Sequence, residues 1–89
     1  MTNITLEIVN EKGLHARASA TLVEVVEGFD ASAEVSKDGM NASGDSIMGL
    51  LMLAAAKGSF IDVETSGPDA EALASALTAL VADKFGEGM

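Results

Sequence analysis

Gly13-Leu14-His15-Ala16-Arg17-Ala18-Ser19 is the stretch in which a strand-like segment of this chain gives way to a helix-like one. Before it, every second residue is apolar, the pattern of a strand with one buried face: Ile4, Leu6 and Ile8. Residues 10–13 indicate a loop. From Ala16 to about Glu27 the apolar spacing favours an amphipathic helix that buries Ala20, Leu22, Val23 and Val26. His15, the one histidine of the chain, is therefore predicted at or near the helix N-cap.

The residues after this helix indicate a β-hairpin. Gly28 favours a helix stop, and Ala33 with Val35 predicts a second strand with one buried face. Asp38-Gly39 favours the positive φ angles of a type I′ turn. A third short strand through Met40 and Ala42 would complete the hairpin, with Asn41 pointing outward.

The second half of the chain predicts a short helix, a strand and a longer helix. Ser43-Gly44-Asp45-Ser46 offers several N-cap candidates before a short helix, and the choice among them stays open. Ile61 and Val63 then mark a fourth strand. The last helix is predicted to start at Gly67-Pro68-Asp69, and its pattern comprises Leu73, Leu77, Leu80 and Val81 with Lys84 at its end. The order βαββαβα predicts one α+β domain over residues 1–89, in which a four-stranded antiparallel sheet carries three helices on one face.

The composition excludes several classes of function. The chain contains no cysteine and one histidine, so neither a disulfide framework nor a multi-histidine metal centre is expected, and no cofactor is implied. Fourteen acids against five bases give a net charge of −9, which argues against binding to nucleic acid or anionic lipid. No leader or membrane-length apolar run is present, which favours a cytoplasmic location.

The surroundings of His15 favour phosphate chemistry. A helix start leaves backbone N–H groups without intrahelical partners and favours negative charge. Arg17 adds a planar, permanently charged donor group. Two interpretations stay open: a surface histidine that only caps a helix, and a phosphorylatable imidazole. Since no Ser-His-Asp or Cys-His constellation can be assembled, a phosphorylated His15 would be a carrier rather than the centre of an enzyme.

The apolar run after Ser46 is too long for one buried stripe. A short helix cannot turn Ile47, Met48 and the following leucines and methionine all inward, and exposed methionines suit docking to several partners. We expect Ile47, Met48 and Leu51 to form such a surface. Ser46 is either a simple N-cap or a regulatory phosphorylation site, where the added charge beside Asp45 would oppose docking.

These motifs together resemble HPr, the histidine-containing phosphocarrier family of the bacterial phosphoenolpyruvate-dependent phosphotransferase system. The likeness rests on Gly13-Leu14-His15-Ala16-Arg17, on Ser46-Ile47-Met48-Gly49, and on the length and order of elements. It implies an open-faced β-sandwich. It further implies that His15 accepts a phosphoryl group on Nδ1 from enzyme I and donates it to an EIIA-type acceptor, with Arg17 and the backbone of Ala16 and Arg17 contacting the phosphate.

The resemblance also implies regulation and docking. Ser46 matches the position that an HPr kinase/phosphorylase modifies, and a monomer is expected. The residues that match the partner-docking surface are Leu14, Ala20, Ile47, Met48 and Leu51. The alternative hypothesis is a regulatory binding module that carries no phosphoryl group on His15 and is controlled by Ser46 phosphorylation.

The chain departs from the family pattern at two places. The family motif has proline after the arginine, where this chain has Ala18, and a proline near a helix start restricts the chain without being chemically required. Sugar-transport members often carry basic residues along the first helix, where this chain has Glu24 and Glu27. The combination resembles the HPr of bacteria with a mainly regulatory, nitrogen-related phosphotransferase system, rather than one for sugar transport.

Overall fold

The elements of the computed structural model, which describes residues 1–86, follow the predicted order. They are β1 (Thr2–Glu7), α1 (Ala16–Glu27), β2 (Ser32–Lys37), β3 (Met40–Ser43), α2 (Ile47–Met52), β4 (Phe60–Ser66), α3 (Ala70–Ala82) and a short 3₁₀ turn (Lys84–Gly86). The four strands of this part of the chain pair antiparallel in the order β1-β4-β2-β3. The predicted α+β class is confirmed.

The two faces of the sheet differ in polarity because side chains alternate along each strand. Ile4 and Val35 both pair with Val63, so these apolar positions share one face. The helices cover that face and leave the other open, which confirms the open-faced sandwich. Fully buried aliphatic side chains, each worth about 1.5–3 kcal/mol on burial, join the layers: Ile8, Leu22, Val35, Leu50, Ile61, Val63, Leu73 and Leu77.

The hairpin between β2 and β3 follows the turn chemistry of its two central residues. Asp38 and Gly39 have φ angles of 52° and 83°, the positive values that a type I′ turn needs. Lys37 pairs with Met40 across the turn, and Asn41 is exposed as predicted. None of the helices in residues 1–86 has the length and apolarity to cross a bilayer.

The end of α3 differs from the prediction. The helix ends at Ala82, and Lys84 lies in the following turn rather than in the helix. Lys84 and Phe85 have φ angles of 55° and 56°, a left-handed conformation that is costly for residues with a Cβ. Phe85 is only 6% exposed and packs into the core, and this burial offsets the backbone cost.

A second strained position follows α2. Leu53 caps this helix, and Ala54, with φ 53°, makes the left-handed turn that usually falls to glycine after a helix. The Ala54 N–H donates to the carbonyl of Leu51 at 3.1 Å, as expected for such a cap. The turn at Ala54 therefore carries backbone strain.

We predict that Ala54→Gly raises the free energy of unfolding by about 0.5–1 kcal/mol, because glycine adopts positive φ without strain. Urea unfolding measures the change. Ala56→Gly is the matched control, since Ala56 is exposed and has no positive φ. Equal destabilisation by both substitutions would contradict the prediction.

Candidate functional site

His15 is the N-cap of α1, as predicted. Its backbone is extended, with φ −79° and ψ −177°, and its Nδ1 accepts a hydrogen bond from the Arg17 N–H at 3.2 Å. The His15 carbonyl accepts the first helical bond, from the Ser19 N–H, at 2.8 Å. A nitrogen that accepts a hydrogen bond carries no proton, so the Nδ1 lone pair points at the helix N-terminus.

The loop before His15 is held by a close backbone approach. Leu14 N–H donates to the carbonyl of Ala55 at 2.8 Å, and Gly13 has φ 66°. A Cβ on Gly13 would lie 2.4 Å from the oxygen of Ala55, so only glycine fits on grounds of both space and conformation. The Asn10 side-chain amide donates to the Gly13 carbonyl at 2.8 Å. These contacts set the position of His15.

The groups around Nδ1 suit an anion. Arg17 is exposed, and its guanidinium makes no hydrogen bond or ion pair with any residue in the described range 1–86. The N–H groups of Ala16, Arg17 and Ala18 precede the first intrahelical donor, Ser19. Within residues 1–86 no cluster of His, Cys, Asp and Glu could hold a metal ion. The arrangement can offer a nucleophilic nitrogen and bind the phosphate placed on it.

Ser46 is the N-cap of α2, which decides among the four candidate caps. Its Oγ accepts from the Gly49 N–H at 3.1 Å, and its carbonyl accepts from the Leu50 N–H at 3.0 Å. The residue is half-buried. Because the hydroxyl acts here as an acceptor, its own proton stays available to a further acceptor.

The predicted docking residues differ in exposure. Ile47 and Met48 are 39% and 70% exposed, and Leu51 is half-buried. Ala20 is half-buried on α1, which packs against α2. Leu14, at 4% exposed, belongs to the core, so its side chain offers almost no surface to a partner.

Sequence reasoning missed one exposed member of the same helix. Met52 is 70% exposed, although it is absent from the predicted docking surface. Its spacing of four residues from Met48, which places both on one side of a helix, is the signal that could have found it. Leu50 and Leu53 are the buried members of the run.

Comparison with known proteins identifies the class. The chain matches the family model described as "PTS HPr component phosphorylation site" over residues 2–83. It is 47% identical over 81 residues to the phosphocarrier protein HPr of Cupriavidus necator, covering 91% of each protein. It is 43% identical over 84 residues to the phosphocarrier protein NPr of Escherichia coli, covering 93% of each.

Solved structures of HPr proteins have the same fold as this chain. The crystal structure of HPr-C-His from Thermoanaerobacter tengcongensis has a TM-score of 0.94 and 36% identity, with full coverage of both chains. A structure described as an HPr dimer from the same organism has a TM-score of 0.77 and 37% identity, covering 98% of this chain and 100% of that one.

The fold and the matches define a phosphocarrier protein, a substrate of partner enzymes rather than an enzyme itself. The chain belongs to the HPr family of the bacterial phosphotransferase system. It therefore works with the enzymes of that system. This membership favours the carrier hypothesis over the binding module without a carrier role.

We predict that Gly13→Ala lowers the free energy of unfolding by about 2 kcal/mol or more, because it combines left-handed strain with a clash against Ala55. Gly39→Ala is the matched control: Gly39 has φ 83°, but a Cβ added there would meet nothing within 4 Å, so it should cost only the strain, about 1–2 kcal/mol. Chemical denaturation measures both. A Gly39→Ala loss as large as that of Gly13→Ala would argue against the Ala55 contact.

Proposed function

We propose that His15 is the residue that carries the phosphoryl group, bonded through Nδ1. The observation that supports this assignment is the orientation of the imidazole, whose Nδ1 accepts the Arg17 N–H at 3.2 Å at the start of α1. An acceptor nitrogen in this place has a lone pair that can form a bond to phosphorus once that long hydrogen bond opens. Enzyme I is the proposed donor and an EIIA-type domain the proposed acceptor.

The transfer step needs no proton movement on His15. The Nδ1 lone pair attacks phosphorus in line, the Nδ1–P bond forms, and the bond from phosphorus to the donor breaks with its electron pair leaving on the donor. The Arg17 N–H, released from Nδ1, then donates to a phosphoryl oxygen, as does the N–H of Ala16. Arg17 can add its guanidinium, which is exposed and has no partner in residues 1–86.

A carrier must hold its phosphoryl group without trapping it. A helix N-terminus stabilises an exposed anion by roughly 0.3–1 kcal/mol, which orients the group at small cost to onward transfer. The partner enzyme supplies the rest of each transfer site, because the groups that residues 1–86 place beside Nδ1 are backbone N–H donors and the Arg17 side chain, and none of them is a general acid for the leaving group.

The carrier assignment predicts an acid-labile, base-stable label on His15 after incubation with phosphoenolpyruvate and purified enzyme I. His15→Ala should abolish this label. Ser46→Ala should retain it, and serves as the control for a label on serine. Label that persists in His15→Ala, or label that survives acid, would contradict the assignment.

The docking surface proposed for these partners comprises Ala20, Ile47, Met48 and Leu51. The exposure of Ile47 and Met48, and the packing of α1 beside α2, support it. Leu14 is buried, so its contribution would be to hold the neighbouring His15 in place rather than to contact the partner. Met52 extends the exposed apolar area of α2.

The charge of α1 indicates which type of phosphotransferase system the chain serves. Glu24 and Glu27 are both exposed, so the partner surfaces that meet α1 should carry basic side chains. This supports a regulatory, nitrogen-related role rather than sugar transport. Membership of the HPr family supports the cytoplasm as the location. We expect the chain to act as a monomer, and size-exclusion chromatography with light scattering tests this against the dimer described for the relative.

Regulation through Ser46 is the second part of the proposal, with an HPr kinase/phosphorylase as the modifying enzyme. Ser46 directly precedes the exposed Ile47 and Met48. A phosphoryl group there would add about 1.5–2 negative charges at the edge of the apolar surface and next to Asp45. Docking of a partner at that surface would then require the desolvation of this charge.

We predict that Ser46→Asp slows phosphoryl transfer from enzyme I to His15 by about tenfold, because a rim charge changes the rate of association. Ser75→Asp is the matched control, since Ser75 is exposed on α3 and receives the same charge. Transfer rates are measured by rapid quench with labelled phosphoenolpyruvate. Equal slowing by both variants would show a general charge effect and refute regulation at Ser46.

A further inference from the structure

We propose that the backbone N–H of Ala18 is a third donor to the phosphoryl group on His15, beside those of Ala16 and Arg17. Ala18 is then a positioning residue for the transferred group. The inference rests on the proposed function, because it needs the phosphoryl group to be on Nδ1 of His15. It goes beyond that function by assigning a role to a residue outside the Ala16 and Arg17 pair.

The hydrogen bonds of the first turn of α1 leave this donor without a partner. The Arg17 N–H is directed to Nδ1 of His15 at 3.2 Å, and the Ser19 N–H to the His15 carbonyl at 2.8 Å. The Ala18 N–H, between them, makes no hydrogen bond within the described residues 1–86. One imidazole lone pair accepts one bond, so Nδ1 alone does not satisfy both amides.

Phosphorylation changes the number of acceptors at this position. An N-cap side chain reaches the N–H groups of the second and third residues of its helix, which are Arg17 and Ala18 in α1. A phosphoryl group replaces the single lone pair of Nδ1 with three oxygens directed at the same helix end. A second oxygen can then take the Ala18 N–H while the first takes that of Arg17.

The buried side chain of Ala18 anchors the backbone at this position. The methyl group is fully buried in the core cluster, at 0% exposure. The backbone at this position is therefore anchored from the inside, and its N–H needs little ordering to bind an oxygen. Proline, which the family motif has at this place, carries no N–H and could not make this bond.

The direct test is an NMR measurement on the unmodified sequence, labelled with ¹⁵N and phosphorylated by phosphoenolpyruvate and purified enzyme I. We expect a ³¹P–¹⁵N coupling across the hydrogen bond, with a downfield shift of the amide proton, at Ala18 as well as at Arg17. Coupling at Ala16 and Arg17 with no response at Ala18 would overturn the inference and leave the carrier assignment intact. Absence of any phosphohistidine at His15 would overturn both.

A pair of variants measures how much the Ala18 N–H stabilises the phosphoryl group on His15. Ala18→Pro removes the N–H while keeping a Cβ. At a fixed ratio of phosphoenolpyruvate to pyruvate, it should lower the equilibrium ratio of phosphorylated to unphosphorylated chain by about threefold to tenfold, the usual worth of one hydrogen bond. Ala72→Pro is the matched control, because Ala72 is the third residue of α3 and is exposed there. The control should leave the phosphorylated fraction unchanged.

A semisynthetic chain keeps the test decisive if Ala18→Pro does not fold. An ester in place of the peptide bond between Arg17 and Ala18 removes only the N–H and leaves the buried methyl group in place. The same fall in the ratio of phosphorylated to unphosphorylated chain is expected. A ratio equal to that of the unmodified chain, in a folded ester variant, would overturn the inference.

Discussion

The hydrogen bond from the Leu14 N–H to the Ala55 carbonyl, 2.8 Å long, joins the connection between β1 and α1 to the loop that follows α2. It forms only because Gly13 lets the two backbones meet, with the Ala55 oxygen where a Cβ would otherwise be. The bond holds the backbone directly before His15, the N-cap of α1. It joins the loop that carries His15 to the loop that follows α2, the helix capped by Ser46.

One residue with backbone strain lies beside this contact. Gly13 and Ala54 both have positive φ and directly precede the two partners of the bond, Leu14 and Ala55, but only Ala54 is strained, because glycine adopts this conformation at no steric cost. A strained residue keeps its conformation where the packing around it leaves no alternative, and such residues are common at functional sites. Here the buried Leu14 and Leu53 supply that constraint on either side.

The phosphate-binding chemistry is short-range by necessity. The chain has a net charge of −9, so its overall field opposes a further dianion. Interactions between exposed charges are screened beyond about 8 Å at physiological ionic strength, whereas amide donors and a guanidinium act at contact. The N-terminus of α1 and Arg17 can thus favour a phosphate on a strongly acidic protein, and the favourable interaction stays modest enough for the group to move on.

The sequence by itself determined the elements and the N-cap position of His15, because apolar periodicity and turn residues such as Asp38-Gly39 act within a few residues. Only the tertiary structure decided the strand order β1-β4-β2-β3, the burial of Leu14, the exposure of Met52 and the turn at Lys84. Alternating apolar residues indicate which face of a strand is buried, but they do not indicate which strand lies beside it. Contacts such as that of Leu14 with Ala55 join residues far apart in the chain, and no local pattern encodes their partners.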